Sequence, residues 1–361
     1  MEYIQPRPSS IVAGLYTVRD LGVDVAILHG PSGCSFKHAR LLEEDGLRVL
    51  TTSLADNEFI FGGHDILVKV LKYAEKEFKP RRIAVVGTCV AMIIGEDMQA
   101  AIDDSGISTP AIAVNIHAGF RENIDGVIAA LEPAADAGWI DEEELERQKV
   151  LLRAANQVER ARGAAYKSYV QPHRGDLKHV VAKRLLELAK EGKKGVAILN
   201  AKKETAYMFA DVLTAFREAC PDADVQYIAN LESRGLPKVR EDARNILTGL
   251  ENAGIAEGKN LGLTGALDEY GANGEKLGAA LKEIKPDFAI ISGVPHAIAP
   301  EYLEGIEVFS VTNGPRQYQP LKEFGHDHVV VEIDLHPKTL GVREIVPSEF
   351  GDVIRSLKDE S

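Results

Sequence analysis

No run in this 361-residue chain approaches the ~20 uninterrupted apolar residues of a membrane-spanning helix. The opening MEYIQPRPSSIV has no charged segment followed by an apolar one, so a secretory leader is not read and a cytoplasmic protein is expected. Cysteine is scarce. Cys34, Cys89 and Cys220 are too few for a disulfide framework, which leaves metal ligation, catalysis or inert burial. Basic charge is also short, with 42 Lys and Arg against 55 Asp and Glu and a net charge of −13. That balance argues against nucleic acid and anionic membranes as partners. HGPSGC at 29–34 invites comparison with a phosphate loop, but Lys37 stands at the wrong spacing. Gly-x-Gly-x-x-Gly after a predicted strand, Cys-x-x-Cys and His-Glu-x-x-His are all missing. Neither ATP hydrolysis nor hydride transfer from a nicotinamide is therefore expected of this polypeptide, and no nucleotide is expected to bind it.

What is present is an alternation of short apolar runs with helical patterns, which predicts parallel sheets covered by helices. Strands are expected at 24–28, 47–52, 82–86 and 111–116, with helices at 35–44, 65–77 and 96–105 between them. These form an N-terminal Rossmann-like domain, 1–120. A helical connector, 121–192, follows, because 141–168 carries apolar residues at helical spacing and 176–191 forms a second helix. Strands at 195–199, 224–228, 260–263, 288–292, 307–311 and 328–333, with helices at 204–220, 239–253, 274–284 and 299–303, make a C-terminal Rossmann-like domain, 193–345. A C-terminal helix and tail, 346–361, complete an α/β chain of two parallel-sheet domains joined by a helical segment.

Two of the three cysteines occupy matching places. DVAILHGPSGCSF puts Cys34 behind a strand and a glycine turn, and RIAVVGTCVAMIIG puts Cys89 just past another strand. In an open parallel sheet, ligands collect outside the carboxyl ends of the strands at the point where strand order reverses. Gly33 and Gly87 permit close backbone approach there. Two thiolates do not fill a four-ligand iron–sulfur or zinc site. Either His29, His38 or His117 supplements them, or a two-fold axis brings the same pair from a second subunit. Cys220, in FREACPDAD, reads as structural.

GPSGC at 30–34, NEFIFGGHDIL at 57–67 and GTCVAMIIGEDM at 87–98 resemble the D-type catalytic subunits of the nitrogenase component 1 superfamily. With only two Rossmann-like units, the chain is most similar to the nitrogenase-like reductive cyclases acting on Ni-sirohydrochlorin a,c-diamide in coenzyme F-430 biosynthesis. The resemblance implies a 4Fe–4S cluster held by Cys34 and Cys89 of each subunit of a homodimer. It also implies a NifH-like, ATP-dependent iron–sulfur reductase as partner, and a nickel tetrapyrrole substrate whose ring is reduced while a lactam closes. Chlorophyll-pathway members, the alternative of protochlorophyllide reductase type, carry a further N-terminal cysteine where this chain has Arg7. A non-catalytic cofactor scaffold is the other alternative.

A substrate rich in carboxylates calls for cationic and hydrogen-bonding groups. Lys37, His38 and Arg40 after Cys34, Asn57 and Glu58 on the Phe-Gly-Gly segment, and Asn313, Arg316 and Tyr318 in VTNGPRQYQP are the candidates. His64, His117 and His296 are candidate proton donors, since histidine gives and takes protons near neutral pH. His326, His328 and His336 read as surface or strand residues.

Overall fold

The computed structural model describes residues 9–116, 120, 122–333 and 336–358. Arg7 and His117 lie outside the described residues. The chain divides into two compact units. Of the described residues, one takes those up to Lys149 together with Leu236–Lys238; the other takes Val150–Gly235 and those from Val239 onward.

The first unit runs α1 (Ser10–Asp20), β1 (Val25–His29), α2 (Phe36–Glu44), β2 (Arg48–Thr51), α3 (Asp56–Phe61), α4 (His64–Phe78), β3 (Ile83–Gly87), α5 (Cys89–Ile93), α6 (Met98–Ser105), β4 (Ala111–Val114) and α7 (Asn123–Asp136). Its sheet is parallel, in the order β2-β1-β3-β4. Every residue of β1 and β3 is buried, as strands covered on both faces require. Val25, Ile27, Ile83 and Val85 pack beneath Leu67 and Leu71 of α4 and Met98, Ala101 and Ile102 of α6.

Two helices of this unit, α1 and α7, were not expected from periodicity. They lie against each other through small residues, and a Cβ on Gly126 would fall 2.1 Å from the Ser10 carbonyl oxygen. Pro133, normally a helix breaker, sits in the last turn of α7.

The element α8 (Glu142–Ala161) carries the boundary between the units. It ends seven residues before the expected 168. At Gly163 the chain closes over the Glu159 side chain, where a Cβ would meet Oε2 at 2.3 Å. Arg162 turns away to donate to the carbonyls of His296 and Ala297 at 2.9 and 3.1 Å. The segment 121–192 is thus distributed: α7 packs on the first unit, and α9 (Lys178–Lys190) on β10 of the second.

The second unit continues with β5 (Gly195–Asn200), α10 (Lys203–Ala219), β6 (Val225–Ala229), α11 (Pro237–Asn252), β7 (Leu261–Leu263), α12 (Gly274–Ile284), β8 (Phe288–Gly293), β9 (Glu307–Thr312), α13 (Tyr318–Glu323), β10 (His328–Val331), α14 (His336–Thr339) and α15 (Glu349–Ser356). Its parallel sheet has the order β10-β9-β8-β5-β6-β7. The expected short helix at 299–303 is a single 3-10 turn, Pro300–Tyr302, because Pro300 and the tight Ala299–Leu303 bonding allow only one turn.

Candidate functional site

In the first sheet, β1 connects outward to β2 and β3 connects the other way to β4, so the order reverses between β1 and β3. Both cysteine loops leave from the carboxyl ends of those two strands. His29, the last residue of β1, pairs in register with Gly87, the last of β3. Cys34 lies in a turn whose amide donates to the Pro31 carbonyl at 3.0 Å, and Cys89 opens α5. Both thiols are half-buried, and they are close enough that Cys89, after burial, is a cause of the raised Cys34 pKa. Two unpaired thiols therefore converge at the first unit's switch point. Among the described residues, no three His, Cys, Asp or Glu side chains gather to hold a metal. His29 and His38 do not complete a ligand set with the thiols.

A buried histidine ties the surrounding loops together. His29 is fully buried, and burial lowers its pKa. Its Nδ1 lies 3.1 Å from Thr52 Oγ1, past the end of β2, and its Nε2 3.4 Å from Glu96 Oε2, past α5. Thr52 Oγ1 also accepts from the Gly30 amide at 3.0 Å, and the other Glu96 oxygen accepts from the Gly63 amide. Thr88, next to Cys89, donates its hydroxyl to the His29 carbonyl at 3.1 Å. Close approach needs glycine here. A Cβ on Gly30 would stand 2.2 Å from Thr88 Oγ1, and one on Gly63 would stand 2.9 Å from His29 Cε1.

The two glycines singled out in the sequence differ. Gly87 makes room for Met98, whose methyl would lie 2.7 Å from a Cβ there, whereas Gly33 faces open space. The segments bearing the thiols, and the adjoining Phe-Gly-Gly turn, expose apolar side chains. Phe36 is 63% exposed, Ile93 75%, Ile60 73% and Phe61 85%.

A polar cluster occupies the corresponding place in the second unit. There β5 leads to β6 and β7 on one side and β8 to β9 and β10 on the other, so the reversal lies between β5 and β8. His296 follows β8, Lys202 follows β5, and Gln317 follows β9. All three meet Glu159 of α8: His296 Nε2 at 3.2 Å, Gln317 Nε2 at 3.1 Å and Lys202 Nζ at 3.9 Å. Although burial opposes it, His296, Lys202 and Gln317 together hold the Glu159 carboxyl well below the usual carboxylate range. His296 is 3% exposed, and its Nδ1 is buried without a hydrogen-bond partner. Sequence reading named His296 and missed Glu159, whose partners lie up to 158 residues away.

The remaining sequence candidates fall as follows. Lys37 and Asn57 are exposed, and the His38 ring packs edge-on against Tyr16 at 6.3 Å. Glu58 accepts from the Ala55 amide at 2.9 Å and so fixes the start of α3. His64 pairs with the exposed Asp104 at 3.1 Å. Asn313 and Arg316 are half-buried in the loop after β9, with the Arg316 guanidinium 6.0 Å from the Tyr169 ring. Tyr318 is occupied structurally, donating to Asp176 at 3.0 Å and stacking on His173 at 3.8 Å. Cys220 caps the end of α10, and burial raises its pKa. His326 is not a surface residue: it is 3% exposed, with Nδ1 2.6 Å from Ser310 Oγ.

No helix among the described residues is long and apolar enough to cross a membrane. A family model described as nitrogenase component 1 type oxidoreductase matches residues 17–152, which include both cysteine loops and the Phe-Gly-Gly turn. The chain is a member of that class of oxidoreductase. It is 55% identical to the Ni-sirohydrochlorin a,c-diamide reductive cyclase complex component CfbD of Methanosarcina acetivorans, covering 99% of this chain and 98% of that one. The component CfbD of Methanothermobacter thermautotrophicus is 48% identical, covering 98% of each. A solved structure of nitrogenase Cp1 at pH 5 aligns with a TM-score of 0.36 at 15% identity, covering 99% of this chain and 88% of that one. Within its class, the chain belongs to the CfbD family of reductive cyclase complex components.

Proposed function

We propose that this chain is the catalytic component of an ATP-dependent reductive cyclase that reduces Ni-sirohydrochlorin a,c-diamide and closes a lactam ring in the making of coenzyme F-430. The observation that carries the reading is the convergence of Cys34 and Cys89 at one switch point, with no third ligand gathered beside them among the described residues. Its relatives are named as components of the complex for that substrate, which supports the substrate assignment. The donor set fits half of a four-thiolate site, and an identical subunit related by a two-fold axis supplies the other half. A 4Fe–4S cluster bound there provides a one-electron relay. Binding it would require loss of the Cys34 thiol proton, which burial and the neighbouring sulfur otherwise favour. Electrons come from a separate NifH-like, ATP-hydrolysing iron–sulfur reductase, in keeping with the missing phosphate loop, and the complex works in the cytoplasm.

This chain's own residues do the rest. Lys37, His38 and Asn57, near the thiols in the sequence, are assigned to the substrate's carboxylates and amides. His296 is assigned as a proton donor whose ring Glu159 orients through Nε2, while the buried Nδ1 has no hydrogen-bond partner. Anaerobic iron and sulfide analysis with electron paramagnetic resonance tests the cluster. About four irons per dimer are expected, lost in Cys34→Ser and Cys89→Ser and kept in Cys220→Ser. A full cluster in each monomer, or zinc in its place, overturns the shared site. Turnover with purified reductase, ATP and Ni-sirohydrochlorin a,c-diamide tests the reaction, and an intact cluster without a reduced ring product would point to a scaffold.

A further inference from the structure

We propose that Glu96 is a positioning residue that sets, through His29, the spacing of the two cysteine loops and of the Phe-Gly-Gly turn. The proposal rests on the cluster reading above. A carboxylate accepts hydrogen bonds and does not donate them. Glu96 takes one from the Gly63 amide on one oxygen, so the contact of its other oxygen with His29 Nε2 makes Nε2 the protonated nitrogen. Burial keeps His29 neutral, so Nδ1 is then an acceptor. Thr52 therefore donates its hydroxyl to Nδ1 while its oxygen accepts the Gly30 amide.

The result is one directed chain: Gly30 amide to Thr52, Thr52 to His29, His29 to Glu96, with the Gly63 amide entering Glu96 from the other side. Gly30 begins the turn that carries Cys34. Thr88, bonded to the His29 carbonyl, precedes Cys89. Glu96 follows the Cys89 helix and holds Gly63 directly against the imidazole. Every loop bearing a thiol is thus fixed to one buried ring, and only the Glu96 carboxylate sets the direction of its hydrogen bonds. Groups behind metal ligands commonly change metal affinity about 10–100-fold when removed.

Substitution separates this role from simple packing. In Glu96→Ala the Gly63 amide and His29 Nε2 lose their shared acceptor, and iron release from the dimer to a ferrous chelator should quicken about tenfold. In Glu96→Gln the amide oxygen still accepts from Gly63, but its NH2 faces Nε2. The ring must then carry its proton on Nδ1, and the Thr52 hydroxyl must turn toward the Leu28 carbonyl at 3.5 Å. Long-range 15N–1H correlation on histidine-labelled, oxidised protein should show Nε2–H in the wild type and Nδ1–H in Glu96→Gln. Iron release should fall between those of the wild type and Glu96→Ala. If the wild-type dimer holds no iron, the cluster reading itself fails. If it holds iron but Glu96→Gln keeps the Nε2–H tautomer, or releases iron at the wild-type rate, the positioning role fails alone. Glu96→Gln preserves shape, so it also decides the matter should Glu96→Ala not fold.

Discussion

His326 shows how a single buried side chain writes a pH dependence into the second unit. Burial, with smaller contributions from neighbouring His296 and Lys322, pushes its pKa down to about 3, so it is neutral in the folded chain. An unfolded histidine takes up its proton near 6.5. Between those values the unfolded state binds more protons, so the stabilisation is fully present above pH 6.5 and is lost as the pH falls. Between pH 6.5 and 4.5 the loss should be about 2–3 kcal/mol. Thermal melts across that range should show a steep decline in the wild type and a flatter one in His326→Asn, which still reaches Ser310. An equal slope in both would refute it. Glu159 adds a separate, lower window. Its carboxyl is held below its ordinary value, so its contribution is present above about 4.5 and is lost below that pH. Glu159→Gln should flatten the acid limb only there. At this scale the sequence shows Cys34 and Cys89 because each stands in a recognisable local frame. It hides Glu96 and Glu159 because their histidine partners lie 67 and 137 residues away, across loops that only the folded sheet brings together.

Glycine decides which elements approach one another. A methyl group on Gly30 would overlap the Thr88 side chain, which joins the ends of β1 and β3. Gly30→Ala should therefore cost about 1–3 kcal/mol, read as a lowered melting temperature, and should lose iron as well. Gly33 has no heavy atom within 4 Å of an added Cβ, and its φ is not positive. Gly33→Ala should melt within about 0.5 kcal/mol of the wild type when iron is absent, yet retain less iron if the cluster lies against that backbone. Full iron content in Gly33→Ala would remove this glycine from the site. Elements with one continuous apolar run, such as β1, β3 and β8, are legible without a structure, because burial on both faces leaves no polar alternation to misread. By contrast, α1 and α7 escape periodicity because they meet through backbone at Gly14, Gly126 and Ser10, where small residues leave little apolar stripe.

At the scale of the whole molecule, two needs coincide on the first unit. On the proposed reading the pair Cys34 and Cys89 would supply half of a four-thiolate set, and the segments carrying that pair expose Phe36 and Ile93, with Ile60 and Phe61 on the neighbouring turn. Exposed apolar side chains grouped in this way mark contact surfaces. An isologous dimer across the thiols would bury them and complete the ligand set with one operation, because each subunit presents the same patch to the other. The dimer and the cluster should then stand or fall together. Ile93→Asp and Phe61→Asp leave both cysteines in place and put a charge on the expected contact. Light scattering coupled to size exclusion should find these variants as monomers, and iron analysis of the same fractions should find them depleted. An iron-replete monomer would show that the cluster is completed within one chain. An iron-free dimer would show that subunits associate elsewhere, leaving the thiols to some other use.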